Sequence, residues 1–458
     1  MKVEQIRSLG PELAVYLDEF GDCFGRSEPR GHLARYVRGQ LLDLDRKSVE
    51  PMALANGVAP RTLQEFLATD VWDEAALRDR LQQIIARDHR DLQAIGILDD
   101  SGHAKSGQHT ACVSRQYSGR SGKVDNCVIT VNLSCASFDT QFRTMLDSVP
   151  FLPECWDQDR ERCRQAGIPA DVRYRPKYEI GLEQIDRARA NGLWLDWLLA
   201  DGWYGQKPKF LAGLRQREQR FVVDIPCNFR CWSYDPRTAK HPQPARDVQN
   251  LAHYSRHMLR PAWTRVYLKD TDRGPLVWEA KTMPMWVELE GQVSGPWWLV
   301  WARDVTDTSQ EKFQLSNAAA GVPFEVILHV GSARWPVERC LQDEKSELGL
   351  SHFEVRKYPA ICRHLTLTLV SHLFLARQTK RLRGEKSGHH DLPSPRCNQH
   401  PDPHLLPAAR PSLGRVNAAS QGRQILSATQ RCRPTLAHKN HEPKPRTPRH
   451  RIDKIIVL

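Results

Sequence analysis

Two apolar runs that each stop at an aspartate constrain this chain more than any other feature. Leu92 to Leu98 runs into Asp99-Asp100-Ser101-Gly102, and Leu193 to Ala200 runs into Asp201. Short apolar runs bounded by turn residues predict buried strands, the first closed by a turn at Asp99 to Gly102. Helical periodicity returns over Tyr178 to Asn191 and Lys209 to Arg217, and Phe221 to Pro226 reads as one more strand. This alternation predicts parallel pairing in an α/β sheet. Ala111 to Tyr117 and Cys127 to Ala136, joined by a Gly-rich turn at Ser118 to Lys123, predict an antiparallel start to that sheet.

The flanking segments have other periods. Residues 1–90 read as helices, with apolar residues three and four apart over Leu13 to Phe24, His32 to Leu42, Thr62 to Leu67 and Ala75 to Ile85. Arg26, Arg30, Arg35, Arg38, Arg46, Lys47 and Arg61 make this region a DNA-binding domain or a helical cap on the core. From 227 to 317 the helical period disappears. Trp263, Trp278, Trp286, Trp297, Trp298 and Trp301 lie among Val, Thr, Tyr and Gly-Pro turns, as expected of a β-rich insertion with a Trp core. Stacking on unpaired bases is the functional alternative for such rings. Residues 318–386 read as helices, and 387–458, with ten Pro and no sustained apolar period, as a disordered tail.

Charge follows the same division. The chain carries a net +12, and from Arg381 to Leu458 there are fifteen Lys/Arg against five Asp/Glu, so the first 380 residues are close to neutral. A nucleic-acid groove in the folded part therefore has to be argued from local residues, not from the isoelectric point. Twelve Cys occur without a CxxC pair, which points to buried thiols and away from a zinc site. There is no signal-peptide core and no apolar run of about eighteen residues, so a soluble protein is expected.

A third acidic residue lies far downstream, in Arg334-Trp-Pro-Val-Glu-Arg-Cys-Leu-Gln-Asp-Glu-Lys345. Val337, Leu341 and Leu348 recur at helical spacing, and Pro336 suits a first turn. Arg334, Glu338 and Lys345 then share one stripe. Alone, this is a charged, solvated helix face. Beside Asp100 and Asp201 it completes a set of three carboxylates, two at strand ends and one on a helix, that can hold a pair of divalent metals for attack on a phosphodiester.

The motifs in order carry a resemblance. Phe24-Gly-Arg-Ser-Glu-Pro-Arg30, Leu98-Asp-Asp-Ser-Gly-His-Ala-Lys-Ser-Gly107, Ser114-Arg-Gln-Tyr-Ser-Gly119, Val124-Asp-Asn-Cys127, Ala200-Asp-Gly-Trp-Tyr-Gly205 and Glu347-Leu-Gly-Leu-Ser-His-Phe-Glu-Val-Arg356 together resemble the IS701 family of transposases, a branch of the IS4-like DDE transposases. The likeness covers roughly residues 20–380. It implies an α/β, ribonuclease H-like catalytic core (91–226 and 318–386) interrupted by the β-rich insertion, to which the periodicity and composition above add a helical N-terminal domain and a disordered basic tail. It implies a catalytic, metal-binding triad of Asp100, Asp201 and Glu338. Asp100 is chosen over Asp99 because Ser101-Gly102 follows it in the position of the family's small residues. The IS4-like Tyr, Arg, Glu, Lys signature finds Arg334, Glu338 and Lys345, but its Tyr position falls on Gly331.

The chemistry so implied is Mg²⁺-dependent, with Mn²⁺ as a substitute: cleavage at terminal inverted repeats, then joining of the ends to a target. Arg334 and Lys345 would face phosphates, with Lys105 and Arg115 as further DNA contacts. Double-stranded DNA, a homodimer in the end complex and the bacterial cytoplasm follow as expectations, with no membrane. The rivals are a nuclease of the same fold that does not join strands, and an inactive DNA-binding descendant.

Overall fold

The computed structural model describes residues 3–384 except 91–92, 119–121, 140, 256–262 and 272–273. The expected tail, 387–458, and the tip of the Ser118 to Lys123 turn lie outside the described residues, and those up to Leu382 form one compact unit.

Five helices open the chain: α1 (Val3–Asp18), α2 (Ser27–Leu41), α3 (Val49–Ala55), α4 (Pro60–Ala68) and α5 (Glu74–Asp88). Their apolar stripes bury Tyr16, Leu33, Tyr36, Met52, Leu63, Phe66 and Leu81. Four strands follow: β1 (Ile95–Ala104), β2 (Ser114–Ser118), β3 (Lys123–Ala136) and β4 (Arg143–Pro150). β1 continues straight through Asp99 to Gly102, where the sequence suggested a turn, because Asp99, Asp100, Ser101 and Gly102 all keep partners in β3. β3 is long enough to pair β1 along one edge and, along the other, β2 and then β4.

Short helices α6 (Glu154–Asp157) and α7 (Arg160–Gln165) lead to α8 (Lys177–Ala190), β5 (Trp197–Ala200), α9 (Gly202–Gly205), α10 (Pro208–Gln216) and β6 (Phe221–Ile225). β1, β5 and β6 are neighbours and parallel, with Leu98 opposite Ala200 and Ala200 opposite Val223. The crossovers carry α8 and α10, as parallel pairing requires.

A two-stranded ribbon, β7 (Arg230–Cys231) with β8 (Arg246–Asp247), and α11 (Val248–Ser255) come next, followed by β9 (Thr264–Thr271), β10 (Gly274–Leu289), β11 (Gln292–Asp304) and β12 (Glu311–Ser316). The Trp-rich region is β-rich, and it is no separate layer. β12 pairs antiparallel with β6, so β12, β11, β10 and β9 extend the main sheet to ten strands. Trp301 packs within the Trp-rich region against Trp263 and Phe313, and Trp297 packs against Phe221 of β6.

The chain returns through α12 (Phe324–Ser332) and α13 (Trp335–Ser346) to α14 (Tyr358–Gly384). By length and hydropathy α14 could cross a membrane, but 72% of its most apolar stretch is buried in the fold. The N-terminal helices cover it: the Tyr16 hydroxyl donates to the Val370 carbonyl (2.8 Å), Tyr36 bonds His364 (2.7 Å), and Gln40 donates to Thr368 (2.8 Å).

Candidate active site

The site forms where the parallel pairing of β1 with β5 ends. The β1–β5 register places Asp99 and Asp201 immediately beyond the paired Leu98 and Ala200. Asp201 leaves the strand to cap α9, its Oδ1 accepting from the backbone N–H groups of Trp203 (2.9 Å) and Tyr204 (3.2 Å). β6 contributes a carboxylate that the sequence reading passed over, Asp224. It accepts from Gln314 (2.8 Å) and pairs with Lys312 (3.0 Å) across the β6–β12 register. Its signal was present, since Phe221-Val-Val-Asp is a third apolar run meeting an aspartate.

Strand alternation sends Asp99 and Asp100 to opposite faces. Asp99 faces the loop before α13, where an Arg334 guanidinium nitrogen lies 3.3 Å from its Oδ2. The same guanidinium lies 3.0 Å from Glu338, one turn along α13, and 3.9 Å from Asp224. Asp100 faces α8, on the side where a Cβ added at Gly181 would strike Leu98. There it accepts from Lys177 of α8 and from the Tyr204 hydroxyl of α9. Nothing in the spacing of Lys177 or Tyr204 advertised these contacts.

Burial pushes the Asp99 carboxyl up to about 7, with the Asp201 and Asp100 charges adding to it and Arg334 opposing. Burial also raises Asp201, the Asp100 charge adding, against the two backbone donors. Arg334 is largely buried, which disfavours its charge, yet Asp99, Asp224 and Glu338 hold it firmly protonated. Glu338 stays 61% exposed. Among the described residues no three carboxylates converge as a finished metal cage; a guanidinium spans three of them instead.

The other expected site residues fall in different places. Lys105 is turned inward: its ammonium lies over the Phe353 ring (3.3 Å) and donates to the carbonyls of Phe353 (2.7 Å) and Ser351 (3.4 Å). Arg115 is exposed on the edge strand β2, opposite Asn126, past the end of β1. Lys345 lies half-buried in the last turn of α13. Gly331, where the signature would have Tyr, ends α12 against β12. An added Cβ would come within 2.3 Å of Gln314 Oε1, while Gln314 donates to the Gly331 carbonyl (2.8 Å). A ring has no room at that point.

This fold matches a known group. The family model described as DDE superfamily endonuclease covers residues 19–283, and the chain belongs to that family. It is also similar to the probable transposase for insertion sequence element IS701 of Microchaete diplosiphon, 28% identical over 328 residues that cover 70% of this chain and 76% of that relative.

Proposed function

We propose that the chain is a DDE transposase, which cuts DNA at the inverted repeats of an insertion sequence and joins the ends to a target. The observation that carries this reading is that Asp99 and Asp201 directly follow the paired residues Leu98 and Ala200, while Arg334 bridges Asp99 to Glu338. A sheet in which an antiparallel arm leads into three parallel strands fits a ribonuclease H-like core. The IS701 relative supports DNA transposition over other endonuclease chemistry.

In this reading Asp99 takes the role first given to Asp100. Asp100 is engaged by Lys177 and Tyr204 on the opposite face, whereas Asp99 shares a face with Arg334 and Glu338. An all-oxygen set fits a hard divalent ion, Mg²⁺ or Mn²⁺, whose charge would offset the burial that disfavours ionisation of Asp99 and Asp201. Asp99, Asp201 and Glu338 would hold it, and when bound it would activate the attacking oxygen and stabilise the leaving one. Asp201 is fixed by two backbone donors, and Asp99 by its strand. Glu338, exposed, is the residue free to adjust. Arg334 balances the carboxylates and, when these take a cation, is left to face a phosphate. Terminal repeats and target DNA are the partners, and a homodimer is the assembly that would bring two ends together.

Incubating the protein with Mg²⁺ and duplexes containing the DNA that borders its gene tests the proposal. Nicking at a repeat end and joining of pre-cut ends are expected. Cleavage without joining would make the protein a plain nuclease, and neither activity on any flanking duplex would remove the reading.

A further inference from the structure

Beside the carboxylates stands a group of side chains that the reaction above does not use. Trp203, two residues after Asp201, is only partly buried, and two ammonium groups approach its ring: Lys177 Nζ at 4.3 Å and Lys207 Nζ at 4.9 Å from the centroid. The three residues come from three successive helices, Trp203 from α9. Lys177 opens α8, and Lys207 leads into α10, whose first turn holds exposed Lys209. Lys177 is anchored at Asp100, as is the Tyr204 hydroxyl next to Trp203. Among the described residues no carboxylate pairs with Lys207 or Lys209, although ion pairs are common elsewhere on this surface, as between Arg175 and Glu183 or Arg217 and Asp186. Two cations approach one ring beside the candidate ligand Asp201, and Lys207, unlike Lys177, has no carboxylate partner among the described residues.

We propose that Lys177 and Lys207, set by Trp203, form a clamp for a backbone phosphate of the DNA strand next to the one being cut. The inference rests on the DNA-cutting reading above and adds to it a binding element on the Asp100 face of β1. The electron-rich Trp203 ring attracts each ammonium group. Asp100 orients Lys177 through a direct ion pair. Lysine suits this use because its ammonium acts as a point charge and needs no planar partner. Trp203 is the positioning residue, and the lysines make the contact. This also gives Asp100 a purpose distinct from that of Asp99.

Phosphate contacts are independent of sequence, so a 40-base-pair duplex of arbitrary sequence serves as the probe, in Ca²⁺ buffer over a range of salt. Each contact contributes about 0.9 to the slope of log affinity against log salt. Lys207→Gln, whose side chain contacts only Trp203 among the described interactions, should lower the slope by about one and weaken binding several-fold at low salt, with an unchanged melting temperature. Trp203→Leu should weaken binding, and Trp203→Phe, which keeps a ring face, should restore most of it. An unchanged slope and affinity in Lys207→Gln, with the parent protein binding normally, would overturn the clamp and leave the DNA-cutting reading standing. Failure of the parent protein to bind any duplex would remove both.

Discussion

Glu344 gives the most quantitative prediction. Val337, Cys340, Leu341 and Glu344 form the buried stripe of α13, and the Glu344 side chain is fully enclosed with neither carboxyl oxygen hydrogen-bonded. Burial raises its carboxyl from 4.5 to about 8, Asp343 adding to this and Lys345 opposing. Below pH 4.5 folded and unfolded chains both carry the proton. Between 4.5 and 8 the folded chain keeps a proton that the unfolded chain releases, so stability falls as pH rises, by about 1.4 kcal/mol per unit. The loss reaches roughly 3 kcal/mol by pH 7. Glu344→Gln keeps the shape and removes the titration. Its melting temperature should therefore lose less between pH 5 and 8 than the parent's, by roughly 5 °C. Thermal melting followed by circular dichroism across that range measures it. Parallel curves for the two proteins would show that Glu344 is not buried as a neutral acid.

Three further outcomes are expected. Lys105→Met should lose about 1 to 3 kcal/mol of stability, from the freed Phe353 carbonyl and the lost ring contact, while the salt dependence of DNA affinity stays as in the parent; a shallower salt slope would return Lys105 to the DNA surface. Arg334→Gln leaves Asp99, Asp224 and Glu338 without their shared cation, so Mg²⁺ should raise its melting temperature more than it raises the parent's, and equal shifts would count against the balancing role. Removing residues 387–458 should leave cooperative melting intact and flatten the salt dependence of DNA binding, because the tail is strongly basic; loss of cooperative melting would show that the tail packs on the core.

How far the sequence could be read depends on whether the signal was local. The runs ending at Asp99 and Asp201 were legible because burial of both strand faces leaves an unbroken apolar record. The helix over Trp335–Ser346 was legible from its period and from Pro336 at its start. The turn expected after Leu98 was a misreading, because Asp, Ser and Gly are turn formers locally, and only pairing with β3 keeps them extended. The insertion's strands were recognisable by composition, but their continuation of the main sheet depends on the β6–β12 pairing, which spans ninety residues of sequence. The proposed preference for Asp99 over Asp100 rests on which helices cover each face of β1, and adjacent residues carry no record of that. Lys105 looked like a surface cation beside the first aspartate, and only the loop bearing Phe353 shows where its ammonium goes.

Single substitutions at the two neighbouring aspartates, compared directly, test the central claim. Asp99→Asn, Asp201→Asn and Glu338→Gln should each abolish Mg²⁺-dependent nicking of repeat-end DNA while a gel shift shows binding preserved, because each removes a candidate metal ligand and leaves the cations in place. Asp100→Asn should still nick, with weakened DNA binding from the loosened Lys177. Full nicking by Asp99→Asn, with none by Asp100→Asn, would contradict the assignment of the site to the face shared by Asp99, Arg334 and Glu338.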